Sequence, residues 1–182
     1  MKVNLFFNYY ESPTRQEEID FCLAKNKAVF DEVIILEGNP TFNEMFKITE
    51  SYPNDINCFC NSDIYFKSIE LLRGVKEKEC YALTRWDLAK DGKKLTFMNV
   101  PDSQDSWVFK GAVSGVNADF TKGKWGCDNR LVHELIVSGY KVINPSLSIV
   151  TVHVHQADVR DHTRTVLNTV PPPYKTVKPT SL

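Results

Sequence analysis

Short apolar runs alternate with amphipathic stretches along the first part of the chain. Val3 to Tyr9 is a compact β-branched and aromatic run, and Glu32 to Leu36 and Ile56 to Cys60 are similar runs. Between them, Arg15 to Phe30 and Thr41 to Ser51 carry apolar residues at helical spacing. Strands that alternate with helices of this length predict right-handed βαβ units. We therefore expect an α/β fold of the Rossmann type, with a mixed, mainly parallel sheet flanked by helices.

The rest of the chain predicts shorter elements and a tail. We expect short helices and strands at Ser68–Arg73, Cys80–Trp86, Lys94–Asn99, Arg130–Ser138, Tyr140–Ile143 and Ser148–His155. The polar stretch Asp102 to Trp107 predicts a loop. Residues 156–182 contain three consecutive prolines and few apolar positions, so we expect an extended tail that either lies over the domain or is mobile. The predicted division is a domain at 1–155 and a Pro-containing tail at 156–182.

Composition narrows the class of protein. The chain has 182 residues, of which 42% are hydrophobic and 12% aromatic, enough for one domain with a single core. Lys and Arg number 22 against 23 Asp and Glu, with no block of like charges, so nucleic acid is not an expected partner. The five cysteines form no paired clusters and predict reduced thiols in a cytoplasmic protein. No apolar run approaches the roughly 18 residues of a transmembrane helix.

Candidate metal ligands lie after two predicted strands. Asn61-Ser62-Asp63 follows a buried strand, where α/β sheets bind ligands, and its oxygen atoms suit Mg²⁺ or Mn²⁺ holding a diphosphate. A polar turn that merely ends the strand is an equally good interpretation. His153 and His155 lie on one face of the last strand, two residues apart, and either imidazole suits a divalent transition metal. The alternative is a pair of hydrogen-bonded or solvated histidines.

Asp128 is the candidate general base. It comes immediately before a predicted helix, where Asp is a favoured N-cap, and this structural role alone explains it. A carboxylate at a helix start after a glycine-containing loop is also well held for proton transfer if it faces a cleft. Trp125, three residues earlier, is either packed or a wall on which a sugar stacks.

Other strand ends carry groups that suit a nucleotide. A base can stack at Phe7-Asn8-Tyr9-Tyr10, with Arg15 near its phosphates. Arg85 reaches a phosphate or a carboxylate, or forms an ordinary ion pair with Asp87. The loop at 102–107 adds a carboxylate and an aromatic ring, Asp105 and Trp107.

Taken in order, these segments resemble a GT-A fold glycosyltransferase over about Lys2 to His155. Asn61-Ser62-Asp63 stands in the place of the D-x-D motif, with Asn at the first acidic position. Gly126-Cys127-Asp128 matches the x-E-D motif, with Cys in place of Glu, and His153 or His155 matches the metal-binding histidine after the last core strand. Other phrases are similar to compact rhamnosyltransferase-like domains of large algal viruses, namely Thr84-Arg85-Trp86-Asp87, Asp102-Ser103-Gln104-Asp105 and Asn144-Pro145-Ser146.

The resemblance implies a uridine-diphosphate sugar donor, a glycan or glycoprotein acceptor, and Mn²⁺ or Mg²⁺ on Asp63 and a histidine. It implies that Asp128 is the base of an inverting reaction. The donor-binding set is then Phe7, Asn8, Tyr9, Arg15, Asn61, Ser62 and Arg85, and the acceptor or sugar set is Asp105, Trp107 and Trp125. The small core suggests one module of a larger protein, in the host cytoplasm if it is viral.

Two other function classes stay open at the level of sequence. The first is another metal-dependent enzyme acting on nucleotides or sugars, such as a glycoside hydrolase that uses Asp105 and Asp128 as its carboxylate pair. The second is an inactive or carbohydrate-binding domain in which Trp107 and Trp125 stack on sugars without turnover. Asn61 and Cys127, at positions where the family motifs have acids, favour this second alternative.

Overall fold

The computed structural model describes residues 1–155 and 165–182, which form two β-sheets and three α-helices. The strands are β1 Val3–Asn8, β2 Glu32–Leu36, β3 Ile56–Cys60, β4 Ile64–Phe66, β5 Glu79–Leu83, β6 Trp86–Leu88, β7 Leu95–Phe97, β8 Ser106–Lys110, β9 Lys141–Ile143 and β10 Thr151–His153. The α-helices are α1 Gln16–Lys27, α2 Phe42–Ile48 and α3 Cys127–Val137, and short 3-10 helices span Thr49–Ser51 and Glu70–Gly74.

The main sheet has the order β2-β1-β3-β8-β5-β9. β1 is parallel to β2 and β3, and β5 is parallel to β9, whereas β8 is antiparallel to both β3 and β5. The mixed α/β architecture is confirmed, but the prediction of a mainly parallel sheet is wrong. The reason is β8, which begins inside the predicted loop at 102–107. The polar residues before it hid a strand whose residues 106–109 are all buried.

The core lies on both faces of this sheet because alternate residues of each strand point to opposite sides. On one face, Leu5 and Cys58 pack with α1 through Ile19. On the other face, Phe6, Phe59 and Trp107 pack with α2 and α3. All five cysteines are free and buried, which agrees with the predicted reduced thiols. Among the described residues, no helix combines the length and the apolar character needed to cross a membrane.

The order of the strands in the main sheet reverses direction between β1 and β3. From β1 the chain moves to β2 on one side and then returns to β3 on the other side. The carboxyl ends of β1 and β3 therefore diverge at a topological switch point, where open α/β sheets bind ligands. Residues 9–10 and 61–63 follow these two strand ends.

The second sheet, β4-β10-β6-β7, brings distant residues to the same place. β10 runs antiparallel to β4 and parallel to β6. In this register His153 lies opposite Ile64, the residue after Asp63, and also opposite Asp87. A strand of only three residues thus carries a histidine to the switch point.

The tail at 165–182 lies over the domain. Its backbone amides at Val170, Lys175 and Thr180 donate to carbonyl oxygens of the domain at 2.8, 2.9 and 2.7 Å. The first of these acceptors is Trp125, in the loop before α3, and the second is Asn129 within α3. The tail therefore covers the N-terminal end of α3. Of the tail predicted at 156–182, residues 156–164 lie outside the described residues.

Candidate functional site

Asp63 is the centre of the polar cluster at the switch point. The turn that carries it is fixed because the Ser62 hydroxyl donates to the Asn8 carbonyl oxygen at 2.5 Å. Asp63 Oδ2 accepts from Arg15 Nη2 at 2.9 Å and lies 3.3 Å from His153 Nε2. Burial alone raises the pKa of Asp63, but His153 and Arg15 outweigh it and hold that pKa well below its usual range. A buried carboxylate is thus kept ionised.

Asp63, His153 and His155 form a potential cation site. Their ligand atoms all lie within 4.8 Å of one another. The two imidazole rings are stacked, with centroids 5.6 Å apart and an interplanar angle of 10°. Asp63 Oδ1 is buried and accepts no hydrogen bond from the described residues, so one carboxylate oxygen is left for a ligand. Two imidazoles and one carboxylate suit a first-row transition ion such as Mn²⁺ better than Mg²⁺, which prefers oxygen ligands.

A second group of residues is connected to the potential cation site through the Nδ1 atom of His153. Asp87 Oδ1 lies 2.8 Å from His153 Nδ1 and accepts from Arg85 Nε at 2.9 Å. Arg85 Nη1 contacts both oxygens of Asp105, at 3.1 and 3.0 Å, and Asn61 Nδ2 donates to Asp105 Oδ1 at 2.9 Å. The prediction that Asp105 contacts an acceptor needs correction, because its buried carboxylate instead positions Arg85 and Asn61.

Arg85 forms an ion pair with Asp87, which is one of the two roles that the sequence predicts for it. Its guanidinium is shared between two carboxylates, which leaves it less free to bind a phosphate. The side chains of Asn8 and Ser62, both predicted to bind a donor, are also occupied within the protein. Asn8 Nδ2 donates to the carbonyl oxygen of Gly38 at 2.5 Å. The hydrogen bonds of Asn8 and Ser62 fix the chain near the ends of β1 and β3.

Asp128 lies in the first turn of α3 and is not its N-cap. The helix begins at Cys127, and Gly126 is the N-cap, with φ of 76°. Glycine is required there because that backbone conformation disfavours other residues, and a Cβ would lie 2.7 Å from the Tyr174 hydroxyl. The aspartate is therefore not explained by capping. Burial, and then the nearby charge of Asp105, raises the pKa of Asp128 to about 7.

Two aromatic residues predicted at the site belong to the core. The Phe7 and Trp107 side chains are fully buried, on opposite faces of the main sheet. Trp107 packs edge-on against Phe42, with ring centroids 5.1 Å apart, so it has no exposed face for a sugar. The predictions that these two side chains contact a donor or an acceptor are wrong. An aromatic residue near a strand end points inward or outward according to register, which the sequence alone does not fix.

Three other aromatic side chains remain available at the surface. Tyr10 and Trp125 are 43% and 45% exposed. The Tyr9 hydroxyl donates to Asp20 at 2.8 Å, which fixes its ring beside the end of β1. Tyr9 and Tyr10 lie next to the crevice in the chain, whereas Trp125 lies beside the tail. Stacking of a base or a sugar on these rings stays a prediction.

Lys122 is a further cationic residue of the site, and it is not among the residues predicted from the sequence. Its side chain is only 8% exposed, and Nζ donates to the carbonyl oxygen of Cys60, at the end of β3, at 2.6 Å. Burial lowers the pKa of Lys122. A single lysine in a polar loop is usually a surface residue. No motif marks Lys122, because only the folding of its loop brings it to the crevice.

Replacing Asp87 with asparagine tests the support of the cation site. Since Asp87 orients His153 through Nδ1, we expect Asp87→Asn to weaken Mn²⁺ binding by about 10-fold or more, as outer-shell substitutions commonly do. Titration calorimetry with Mn²⁺ measures this. Asp91→Asn, in the exposed turn between β6 and β7, is the control and should bind Mn²⁺ like the wild type. Unchanged affinity in Asp87→Asn would show that His153 is not a ligand.

The raised pKa of Asp128 makes stability depend on pH. The carboxyl group has an ordinary pKa of 3.8 when unfolded and about 7 when folded, so the folded state binds more protons between these values. Stability contributed by this group therefore falls as the pH rises through that range. We expect Asp128→Asn to raise Tm by ~3 °C or more near pH 8, and by less near pH 5. The surface control Asp119→Asn should show no such pH-dependent gain, and an equal effect of Asp128→Asn at both pH values would contradict the assignment.

Comparison with protein-family models, with characterised proteins and with solved structures gives no match for this chain. The function is therefore argued from the chemistry of the site. That site contains a three-residue potential cation centre, the residues that hydrogen-bond to it, and Asp128, a partly buried carboxyl group whose pKa is raised to about 7.

Proposed function

We propose that this protein is a metal-dependent glycosyltransferase that moves a sugar from a nucleotide-diphosphate donor, a uridine-diphosphate sugar, to a hydroxyl group of a glycan. The observation that carries the proposal is the Asp63, His153 and His155 cluster at the switch point between β1 and β3. The strand order and the position of this cluster are also what support a GT-A-like organisation of the fold.

Donor binding would use groups on both sides of the crevice. Asp63, His153 and His155 would hold Mn²⁺, which when bound neutralises the diphosphate and stabilises charge on the leaving oxygen. Arg15 donates to Asp63 at the potential cation site, and its side chain is partly exposed. Because a ligand can still reach this guanidinium group, Arg15 would contact a phosphate oxygen as well. Tyr9 and Tyr10 follow β1 and offer ring faces to the base. The chain has a net charge of −1, which suits local binding of phosphate better than a broad positive field.

Asp128 is the proposed general base. With a pKa raised to about 7, its carboxylate is present near neutral pH and still basic enough to accept a proton. It takes the proton from the acceptor hydroxyl as the oxygen bonds to the anomeric carbon. The bond from that carbon to the phosphate oxygen breaks, and its electron pair leaves with the diphosphate. Attack from the face opposite the diphosphate inverts the anomeric configuration.

The two alternatives receive less support from the site. A glycoside hydrolase needs two carboxyl groups free to face the scissile bond. Asp105 does not suit that role because both of its oxygens contact Arg85. A binding domain that stacks sugars on two tryptophans loses Trp107, which is fully buried. Neither alternative explains a cation site beside a titrating carboxyl group.

The experiment that tests the proposal is release of uridine diphosphate from a panel of its sugars in the presence of Mn²⁺ and mixed glycan acceptors. We expect release with at least one sugar, loss of that release with a chelator, and a product of inverted configuration by proton NMR. A chelator-insensitive release would contradict the role of the cation. A product of retained configuration would contradict the role of Asp128.

A further inference from the structure

We infer that Lys122 is an anion-binding residue of the site, which holds an oxygen of the donor's diphosphate next to the cation centre. The inference deepens the proposed function and rests on it for the identity of the ligand. It concerns a residue that no sequence motif marks, and it is carried by the burial, the partners and the anchoring of this side chain.

The first observation is that Lys122 is a buried ammonium group with few partners. The residue is 8% exposed, and its one hydrogen bond within the described residues goes to the carbonyl oxygen of Cys60. An ammonium group has three donors, so two are left. No carboxylate of the described residues forms an ion pair with it, although buried lysines are normally paired. Burying a cation in this way costs free energy unless a ligand supplies the missing hydrogen-bond acceptors and negative charge.

The second observation is where the ammonium group lies. Its hydrogen bond fixes Nζ at the end of β3, three residues before Asp63 in the chain. Asp63 and Cys127 are close enough to act on the pKa of Lys122 electrostatically. The hydrogen bond to Cys60 therefore places the ammonium group near the turn that carries Asp63. In the proposed reaction the diphosphate lies on the cation side of the sugar, and the acceptor and Asp128 lie on the opposite side.

The third observation is that the loop is anchored immediately before Lys122. Thr121 forms an isolated bridge with Thr41, and the Phe42 amide donates to the Phe120 carbonyl oxygen at 3.0 Å. These contacts attach the loop to the start of α2. The ammonium group is consequently held in place before any ligand arrives, which lowers the entropy that binding must offset.

A diphosphate would satisfy the two remaining donors of the Lys122 ammonium group. A diphosphate oxygen accepts charge-assisted hydrogen bonds, and its negative charge compensates the buried cation. Arg85 is already shared between Asp87 and Asp105, so it supplies less positive charge to a ligand. Arg15 is likewise shared between Glu18 and Asp63, whereas Lys122 still has donors for a diphosphate oxygen.

The test uses inorganic pyrophosphate as the probe, with the full chain and Mn²⁺ in titration calorimetry. We expect Lys122→Met to bind Mn²⁺ like the wild type but to bind pyrophosphate about 10- to 100-fold more weakly, the range expected for a lost charge-assisted hydrogen bond. Lys122→Arg should recover part of the affinity. Lys124→Met is the matched control, since Lys124 is an exposed lysine two residues away, and it should leave binding within about 2-fold.

A second variant and a measurement on the wild type distinguish a loss of binding from a loss of folding. Lys122→Gln keeps a donor for the Cys60 carbonyl oxygen while it removes the charge, and we expect the same loss of pyrophosphate affinity with a smaller change in Tm. In the wild type, the NMR signal of the Lys122 ammonium group should shift when pyrophosphate is added. An unshifted signal, or variants that bind pyrophosphate within about 2-fold of the wild type, would overturn the inference.

The outcomes separate this inference from the proposed function. Lys122-dependent binding of pyrophosphate without release of uridine diphosphate from any sugar would support the anion site and contradict glycosyl transfer. Release of uridine diphosphate that is unaffected by Lys122→Gln would support glycosyl transfer and overturn the role of Lys122.

Discussion

Replacing Asp63 with alanine is expected to abolish the cation-dependent part of uridine diphosphate binding. Asp63 supplies the carboxylate of the proposed cation site, and its Oδ1 is the buried oxygen without a protein partner. Loss of a ligand should cost more than the 10- to 100-fold that outer-shell substitutions typically cost. Calorimetry with uridine diphosphate, with and without Mn²⁺, measures the effect. We expect the two titrations of Asp63→Ala to coincide.

Two further variants keep this prediction interpretable. Asp63→Asn preserves an acceptor for Arg15, which in the alanine variant keeps its ion pair with Glu18 but loses the one with Asp63, and should give the same loss with a smaller change in Tm. Asp102→Ala removes an exposed carboxylate elsewhere and should bind like the wild type. A clear Mn²⁺ enhancement that survives in Asp63→Asn would mean that the cation is held by other residues.

Replacing Asp128 with asparagine is expected to remove transfer while donor binding persists. A positioned general base contributes about 10²- to 10⁴-fold in rate, so kcat should fall by that amount. Affinity for uridine diphosphate with Mn²⁺ should stay within about 2-fold, because Asp128 is not a member of the cation cluster. In the wild type, kcat/KM should rise with pH through about 7, as the carboxyl group loses its proton.

Asp119→Asn is the control for this prediction, since it removes an exposed carboxylate from the loop before α3. It should transfer sugar at the rate of the wild type. If Asp128→Asn transferred at that rate too, another group would be the base. If it lost donor binding together with transfer, Asp128 would have a structural role at the crevice.

The first half of the fold follows from the sequence because its elements are long and strongly patterned. The runs at 3–9, 32–36 and 56–60 are strands, and two helices separate them as the apolar spacing predicts. The rest of the chain is harder to predict, since five of its described strands have only three residues. Strands this short form through pairing with distant partners, so local pattern carries little information about them.

The candidate site follows the same division. Asp63 was predicted from its place after a buried strand, and that place depends only on local sequence and sheet geometry. The meeting of Asp63 with His153 depends on the pairing of β10 with β4, across a long stretch of chain. Lys122 depends on how a loop docks on α2, and Trp107 on the register of a strand that polar neighbours concealed. Contacts between residues far apart in the sequence therefore determine which side chains meet at the site, and the local sequence does not show these contacts.

The charged side chains of the site pair with one another and leave one carboxylate oxygen without a partner. Asp63, Asp87 and Asp105 form ion pairs with Arg15 and Arg85, Glu18 also pairs with Arg15, and one oxygen of Asp63 accepts no hydrogen bond from the described residues. A divalent cation at that oxygen and a diphosphate at Lys122 would compensate each other's charge. We therefore expect a cation and a diphosphate to bind more tightly together than either alone.

The most direct test of the central claim is a pair of calorimetric titrations of the wild-type protein with uridine diphosphate, one with Mn²⁺ and one with a chelator. We predict that Mn²⁺ tightens binding by about 10-fold or more, a difference of at least about 1.4 kcal/mol in binding free energy. Mg²⁺ in place of Mn²⁺ should give a weaker enhancement, because two of the three proposed ligands are imidazoles. Equal binding with Mn²⁺ and with the chelator would contradict a cation-dependent nucleotide-sugar site.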